Sequence, residues 1–488
     1  TALPEPMSIN DSDVISVTTD VFRVEISTKG GTLRNIYLLD YPVSPETPAQ
    51  KFQLLKPDHP NLYLAQSGLI GTSKEAAPTH EAIFQSSAME YKLDESSDEL
   101  AVELSWTHDS GVKVTKRYMF TRGSYLIDLT QKVTNHSDTN WAARSYVQLQ
   151  RSEPYSPEKS SFIYTFTGTA YYSPEDKYEK VPFEDIAGKK LNREVTNGWV
   201  AMLQHYFLSA WIPPRSESQT IFTNQLSGPR YVIGMYSPTV TVSPGASHAF
   251  SSQLYTGPKL QNELSKVAEG LELSVDYGWL TILAQPIFWL LNKLHSFVNN
   301  WGVAIILLTI LIKLAFYKLS ATSYKSMANM RKFTPRLQAL KDRYGDDKER
   351  LNQAMMEMYK KEKINPLGGC LPIVVQIPVF IALYWVLLES VELRQAPFAL
   401  WINNLSAPDP YFVLPLIMGV SMFIQQKLNP APVDPLQAKI MMSLPLVFTV
   451  FFAFFPAGLV LYWTVNNILS IAQQWHITRN IEKAAKSH

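Results

Sequence analysis

The distribution of apolar and polar residues divides the chain into two parts. Up to about residue 257, apolar side chains alternate with polar ones in short segments, such as the one that contains Phe22, Val24 and Ile26. Alternation with a period of two is typical of a strand with one buried face. From about residue 276 the apolar residues form long continuous runs, which are typical of membrane helices. The pattern therefore predicts a β-rich domain followed by a helical membrane domain.

Strand-like segments in the first part follow one another at intervals of roughly ten residues, which predicts a large β-sandwich. Residues 112–120 and 125–129 alternate on either side of a turn at 121–124, and this arrangement predicts a hairpin. A helical pattern follows at 260–273. We expect a polar linker at 1–12 and a β-sandwich domain with a helical tail at 13–275, with no membrane span in either.

The β-rich part contains none of the sequence motifs of common catalytic sites. Its histidines do not follow the H-E-x-x-H spacing, and it has neither G-x-S-x-G nor a Gly-rich phosphate loop. We therefore predict no catalytic residues, no cofactor and no metal site. The aromatic-rich run at 164–178 leaves open a groove for a sugar or a peptide, although such rings more often pack a sandwich core.

Composition narrows the interpretation further. The 488 residues suffice for two or three domains, and the net charge of +1 gives no overall field that favours nucleic acid. The single cysteine, Cys370, excludes an intrachain disulfide. The chain begins at Thr1 without a charged and apolar leader. Because a translocated domain needs an export signal, we expect that such a signal has been removed.

Five apolar runs in the second part predict five membrane spans, each of which needs roughly 20 residues. The first span is predicted at 301–321, and four more lie within 369–477, where Pro456 separates the last two. Residues 279–298 are also apolar, but Gln285 and Pro286 interrupt them and tryptophans flank them. This pattern is typical of an amphipathic helix that lies in the membrane interface.

Charge predicts the orientation of these spans. Residues 318–363 carry a net charge of +6 and contain a predicted helical hairpin at 322–366, broken at 344–347. By the positive-inside rule this hairpin is cytoplasmic. An odd number of spans then places the tail at 478–488 in the cytoplasm as well, and residues 13–275 on the opposite side.

The first span contains a full positive charge. A lysine near mid-membrane, such as Lys313, costs on the order of 3 kcal/mol unless it faces a bundle interior, a partner or a wet cavity. Thr309 lies one turn earlier on the same helix face. The alternative is a lysine near the membrane edge that extends to the headgroups. Because Lys318 already occupies that edge, we favour a functional cation.

Polar residues recur on the other spans. On the last span they follow i, i+4, i+7 and i+11, which forms a single stripe: Trp463, Asn467, Ser470 and Gln474. Other spans add Gln376, Ser421, Gln425 and Gln426. Together with Thr309 and Lys313 they predict a hydrophilic cavity. The alternative is hydrogen bonding between helices, worth roughly 0.6 kcal/mol for each pair. A buried cation without a nearby acid favours the cavity and an anionic guest.

Four long stretches of the chain resemble the YidC family of membrane-protein insertases of Gram-negative bacteria. They are residues 279–302, 356–387, 390–419 and 455–474, the last reading FPAGLVLYWTVNNILSIAQQ. The resemblance implies a multidomain membrane protein of the bacterial inner membrane. Its expected fold is a large periplasmic β-supersandwich plus an α-helical bundle of five transmembrane helices with a cytoplasmic helical hairpin.

The resemblance also implies a non-enzymatic function. In the family, a cytoplasm-facing groove holds a cationic residue that attracts acidic groups of an incoming substrate. Lys313 occupies that position, and Thr309, Gln376, Tyr462 and Trp463 occupy positions on the groove wall. We therefore expect an insertase and chaperone of nascent membrane proteins, which releases their hydrophobic segments into the lipid bilayer, alone or with the Sec translocon. Ribosomes are expected near the hairpin and the tail.

Three departures from the family pattern stand out. Lys313 replaces the usual arginine and lacks its bidentate fork, and Trp463 stands where tyrosine is common. The third is that we expect the first transmembrane helix of the family to be missing from this chain, together with the export signal. Two other functions stay open: a secondary transporter that uses Lys313, and a membrane-anchored sugar-binding or sugar-modifying enzyme. Inverted repeats, which transporters usually show, are not evident in the sequence.

Overall fold

A computed structural model describes residues 14–72, 77–153, 165–188, 190–345, 347–361, 371–429 and 435–486. The chain divides into two compact units, Thr1–Val275 and Asp276–His488. The predicted linker at 1–12 lies outside the described residues. The units are treated separately below.

The described part of the first unit contains twenty strands. They are β1 Val14–Thr18, β2 Phe22–Ser27, β3 Leu33–Pro42, β4 Lys51–Leu55, β5 Tyr63–Gly71, β6 Gln85–Ser86, β7 Glu90–Lys92, β8 Glu99–Thr107, β9 Val112–Thr121, β10 Leu126–Asn135, β11 Trp141–Ser152, β12 Gly168–Ser173, β13 Lys177–Val181, β14 Asn192–Thr196, β15 Trp199–Leu203, β16 Phe207–Ile212, β17 Ser218–Leu226, β18 Arg230–Tyr236, β19 Val240–Val242 and β20 Ser247–Pro258.

These strands form two large sheets. One sheet has eleven described strands, with the central order β17-β18-β11-β5-β3-β2-β1. The other has nine, in the order β13-β12-β15-β16-β20-β10-β9-β8-β6. The predicted hairpin is confirmed, because β9 and β10 pair antiparallel on either side of the turn at 121–124. The β-sandwich expected from the alternating pattern is therefore present.

A short helical segment ends the first unit. Helix α1 (Phe183–Gly188) lies between strands, and helix α2 (Gln261–Val267) follows β20. Leu264 of α2 is fully buried in a cluster that includes Tyr172 and Trp199. The Trp199 indole N–H donates to the Glu269 carbonyl at 2.9 Å. The described rings of the aromatic-rich run thus include core residues, which is the alternative that the sequence left open.

A lysine occupies a core position in β9. The strand alternates buried and exposed residues, and Lys116 falls on the buried face with no exposed surface. Its Nζ donates to the carbonyls of Gly30 and Ser67 at 2.6 and 2.7 Å and to the Ser67 hydroxyl at 2.9 Å. Burial away from water lowers the pKa of Lys116 to about 7.

The second unit is helical. Its described helices are α3 Thr281–Val298, α4 Trp301–Ala315, α5 Tyr317–Tyr344, α6 Lys348–Lys361, α7 Leu371–Glu389, α8 Val413–Leu428, α9 Pro435–Phe452 and α10 Ala457–Lys486. Asn300 begins α4 as a side-chain cap, because its oxygen accepts from the Val303 N–H at 3.0 Å. The expected helix at 279–298 corresponds to α3.

The first predicted span is shorter than expected. The sequence predicts a helix at 301–321, whereas α4 ends at Ala315 and α5 begins at Tyr317 after a bend of 67°. Phe316 at the bend has φ −92° and ψ 10°. The Gln473 side chain of α10 donates to the Tyr317 carbonyl at 3.2 Å. The Tyr317 carbonyl thus has a hydrogen-bond donor from another helix at the bend between α4 and α5.

Among the described helices, none alone combines the length and the apolar character needed to cross a membrane, although α4 and the start of α5 do so together across their bend. Three shorter apolar helices are Val374–Glu389, Val413–Leu428 and Ala438–Phe452. The count of five spans therefore stays a prediction.

We expect Lys116 to make the stability of the first unit depend on pH. Its pKa is lower in the folded chain than the ordinary value of 10.5, so the unfolded chain binds more protons between about pH 7 and pH 10.5. Stability should therefore rise with pH across this window, by about 1 kcal/mol per pH unit. Below about pH 7 Lys116 is charged in the folded chain as well, so the full free-energy cost of burying its charge is present there.

Pulse proteolysis in urea of the detergent-solubilised chain at pH 7, 8 and 9 measures this slope. Lys116→Met should flatten it, and Lys113→Met, which changes an exposed lysine of the same strand, should not. An unchanged slope in Lys116→Met would contradict the assignment.

Candidate functional site

Helices α4, α5, α7, α8 and α10 surround a cavity of about 250 Å³. The polar residues on its wall are Lys313, Tyr324, Gln376, Gln425, Gln426, Asn429, Tyr462, Trp463, Asn466, Asn467 and Ser470. The apolar ones are Met327, Ile377, Phe380 and Met422. Among the described residues, the wall thus combines one cation with many neutral hydrogen-bonding groups and contains no acid.

Lys313 lies in the last turn of α4, immediately before the bend. Its side chain is partly buried at the cavity wall. Within the described ranges, its ammonium has no hydrogen bond or salt bridge. A cation held without a carboxylate in a partly desolvated cavity attracts an anion more strongly than it would in water.

One side of the cavity is a polar wall formed mainly by α7 and α10. The Gln376 side-chain N–H of α7 donates to the Asn466 side-chain oxygen of α10 in a short hydrogen bond. Asn467 donates to the Ser421 hydroxyl of α8 at 3.1 Å. The Ser470 hydroxyl donates to the carbonyl of Asn466 at 2.7 Å. Some of the predicted cavity residues therefore also link helices, so the two interpretations of the stripe are compatible.

Aromatic rings of the same two helices, α7 and α10, also line the cavity. The rings of Phe380 and Trp463 meet edge to face at a centroid distance of 4.5 Å, and Phe380 also stacks near Tyr462. The Tyr462 hydroxyl and the Trp463 indole nitrogen are both buried, and neither has a hydrogen-bond partner among the described residues. Because a buried donor without a partner costs about 1–3 kcal/mol, these groups favour a polar occupant.

Six of the eight predicted site residues line the cavity, and two do not. Thr309 is 1% exposed, and its hydroxyl donates to the Ile305 carbonyl of its own helix. Gln474 is also buried, and it donates to the Leu428 carbonyl and to the Asn429 side chain, both at 3.1 Å. The structure brings in several residues that the sequence reasoning omitted, including Asn466, Tyr324 and Phe380.

The opposite end of the bundle is filled by the loop 390–412. Gly458, at the start of α10, donates its N–H to the Leu405 carbonyl at 2.9 Å. A Cβ at Gly302, at the start of α4, would overlap the Phe398 ring, so the loop packs directly against the helix backbone. The lining residues of α4, α7 and α8 lie at the helix ends that do not join this loop, whereas those of α10 begin at Tyr462, one turn after Gly458.

Asp409 holds this loop to α8. Its carboxylate is buried and accepts from the N–H groups of Leu414 at 2.7 Å and Tyr411 at 3.0 Å. It also accepts from the Trp401 indole at 2.9 Å. The negative charge lies at the N-terminal end of α8, where the helix dipole stabilises it.

Two family models match adjoining parts of the chain. The model described as "YidC periplasmic domain" matches residues 14–290, and the model described as "60Kd inner membrane protein" matches residues 293–484.

Individual relatives agree with the family models. The chain is 58% identical over 481 residues to the membrane protein insertase YidC of Thioalkalivibrio sulfidiphilus, covering 97% of this chain and 86% of that protein. It is 55% identical over 496 residues to the insertase of the same name from Methylococcus capsulatus, covering 99% and 91%. A solved YidC insertase structure is similar with a TM-score of 0.42 at 18% identity, covering 95% of this chain and 92% of that one.

Removal of the Asp409 carboxylate should loosen the loop 390–412. We expect Asp409→Ala to destabilise the helical unit by about 3 kcal/mol, because it leaves buried N–H groups without an acceptor. Asp409→Asn should cost less, since it keeps one acceptor oxygen. Thermal unfolding in detergent measures both, with Asp342→Ala on an exposed part of α5 as the control. Equal melting of Asp409→Ala and the control would contradict this role.

Proposed function

This chain belongs to the YidC family of membrane protein insertases, and on that premise we propose that its polar cavity holds acidic segments of incoming membrane proteins. Insertases of this family are not enzymes, and they act on nascent membrane proteins in the lipid bilayer. The protein therefore resides in the inner membrane with a periplasmic domain. The proposal concerns how its own residues take up a substrate.

The observation that carries the proposal is the position of Lys313. Its ammonium lies at the wall of a cavity whose described lining contains no acid, and no ion pair to it occurs in the described part of the chain. The gross Coulomb attraction of an opposite charge at 4 Å is about 4 kcal/mol at an effective dielectric constant of 20, of which desolvation leaves a net gain of about 1 kcal/mol. A carboxylate in the polar tail of a substrate can therefore pause beside Lys313 while it gives up part of its hydration.

The remaining wall suits a peptide. Backbone carbonyls of the substrate can accept from the unpaired donors of Tyr462 and Trp463. The amides of Gln376 and Asn467 offer both donors and acceptors along the same wall. Because these groups are neutral, they hold a polar segment without selecting its sequence. This arrangement supports a substrate range defined by charge and hydrophobicity.

Release needs no nucleotide in this mechanism. Burial of an apolar side chain in lipid gains roughly 25 cal/mol per Å² of apolar area removed from water. Transfer of a substrate helix of about 20 residues into lipid therefore gains much more free energy than the hydrated ion pair to Lys313, which is worth about 1 kcal/mol. The hydrophobic segments move into the bilayer, and the tail then leaves Lys313.

The wider setting is also part of the proposal. We assign five transmembrane spans to α4 with the start of α5, α7, α8, α9 and α10, and a cytoplasmic hairpin to α5 and α6. The basic hairpin and the C-terminal tail suit contact with a ribosome. We also propose a chaperone role for partly inserted proteins and cooperation with the Sec translocon. We propose no sequence-specific contact with nucleic acid.

Substitutions of Lys313 test the electrostatic step. In proteoliposomes, Lys313→Arg should retain insertion of a substrate with an acidic translocated tail. Lys313→Ala should reduce it about five-fold, because a hydrated ion pair is worth about 1 kcal/mol. Lys313→Glu should reduce it further through repulsion. The measurement is the fraction of tail protected from added protease.

A second substrate and a matched variant provide the controls. With every acid of the tail changed to its amide, Lys313→Ala should insert nearly as well as the unchanged protein. Lys318→Ala removes an exposed lysine five residues away and should leave both substrates unaffected. Equal insertion of the acidic-tailed substrate by all Lys313 variants would remove the electrostatic step from the mechanism.

A further inference from the structure

The first unit has a hollow of its own, of about 490 Å³, on one face of the eleven-stranded sheet. Its lining residues come from β5, β11, β17 and β18 and from the segment before β6: Ile70, Thr79, His80, Arg144, Tyr146, Gln148, Phe222 and Tyr236. The volume falls within the range of small-molecule sites in proteins. The membrane cavity described above belongs to the other unit, so the two sites are independent.

Strand register explains how the hollow forms. Along β11, Ala143, Ser145 and Val147 are buried, whereas Arg144 and Gln148 are partly exposed on the opposite face with Tyr146 between them. Glycines lie beside this row on both neighbouring strands, because Gly68 of β5 pairs with Tyr146 and Gly234 of β18 pairs with Gln148.

Both glycines leave room for aromatic rings. A Cβ at Gly68 would lie 2.6 Å from the Tyr146 hydroxyl oxygen, and one at Gly234 would lie 2.7 Å from Cζ of Phe222. Any larger residue would therefore push a ring away from the sheet. The glycines let Tyr146 and Phe222 lie low over the strands, and this arrangement forms the floor of the hollow.

An arginine without an acidic partner lies at the wall. The Arg144 guanidinium stands 4.8 Å from the centre of the Tyr236 ring, which lies 6.0 Å from the Phe222 ring. Its Nε atom is buried and makes no hydrogen bond to any residue that the structure describes. No salt bridge to Arg144 occurs among those residues either. An arginine side chain without an acidic partner is suited to bind a carboxylate or a phosphate.

Polar groups are fixed at two sides of the hollow. Gln148 donates to the Gln66 side chain at 2.8 Å. The Tyr146 hydroxyl accepts from the His80 backbone N–H at 2.9 Å and bonds to Nδ1 of the same residue. These bonds hold the amides and the imidazole in place, so that the remaining donors and acceptors have defined directions.

The location of the hollow argues against a peptide as its ligand. Peptides that bind sheets usually pair with an edge strand through backbone hydrogen bonds. Here β11 lies between β5 and β18, so its backbone groups are already paired on both sides. A ligand in the hollow is therefore recognised by side chains alone.

From this chemistry we propose that the hollow binds a saccharide unit that carries a carboxylate. The flat apolar faces of Tyr236 and Phe222 suit the C–H face of a sugar ring, and the amide of Gln148 suits its hydroxyls. Arg144 pairs with the carboxylate. The ligand is thus an acidic sugar met on the periplasmic side.

Calorimetric titration of the full detergent-solubilised chain tests the proposal, in a detergent without a sugar headgroup. The probes are digalacturonate, the neutral disaccharide cellobiose, and an acidic tripeptide. Digalacturonate should bind with a Kd below about 1 mM and at least about ten-fold more tightly than cellobiose. The acidic tripeptide should bind more weakly than digalacturonate.

Three variants assign the binding to this hollow. Arg144→Gln should remove the preference for the acidic sugar, and Phe222→Leu should weaken both sugars. Arg117→Gln, which changes a half-exposed arginine of the nine-stranded sheet, should bind like the unchanged chain. Failure of digalacturonate to bind, tighter binding of the tripeptide, or an unchanged preference in Arg144→Gln would each overturn the proposal.

Discussion

The helical unit is organised around the ammonium group of Lys313, which has no acid beside it among the residues that the structure describes. Lys313 is partly desolvated at the end of α4, and its cost is bearable because amides, hydroxyls and aromatic rings of four other helices surround the same cavity. The polar residues on α7, α8 and α10 make sense in relation to this charge. In the proposed mechanism, a carboxylate fixed on any of these helices would neutralise Lys313 and occupy the position that an incoming acidic group needs.

The sequence predicted the architecture well because both units follow simple periodicities. Alternation in β9 and β10 identified their hairpin, and continuous apolar runs located the helices of the second unit. Three members of the predicted stripe on α10, Trp463, Asn467 and Ser470, line the cavity because side chains at i, i+4 and i+7 share a face, whereas Gln474 at i+11 lies outside it. The resemblance supplied Tyr462, which a periodicity argument alone did not select.

The failures also have physical causes. The bend at Phe316 has neither proline nor glycine to signal it, and its contact with Gln473 is long-range. The spacing in the sequence places Thr309 on the same face of α4 as Lys313, but helix packing buries the Thr309 side chain, and it does not line the cavity. Asn466 lies next to the predicted stripe and joins the wall through Gln376, a contact that helix periodicity does not encode.

In the β-rich unit, the signal in the sequence is partial. Lys116 continues the buried alternation between Val114 and Tyr118, so its core position is readable from the strand. Its acceptors are not, because Gly30 and Ser67 are distant in sequence. The hollow beside Tyr146 likewise depends on the register of three strands, which places Gly68 and Gly234 next to the rings.

The packed loop 390–412 has an electrical consequence. It packs against the starts of α4 and α10, where the Leu405 carbonyl accepts from Gly458, and so covers one end of the bundle in the described part of the chain. In the proposed mechanism, a cation such as Na⁺ or H⁺ that enters the cavity meets the positive Lys313 side chain and then the packed loop. The proposal thus accounts for how many copies of such a protein can stay in an energised membrane without dissipating its ion gradients.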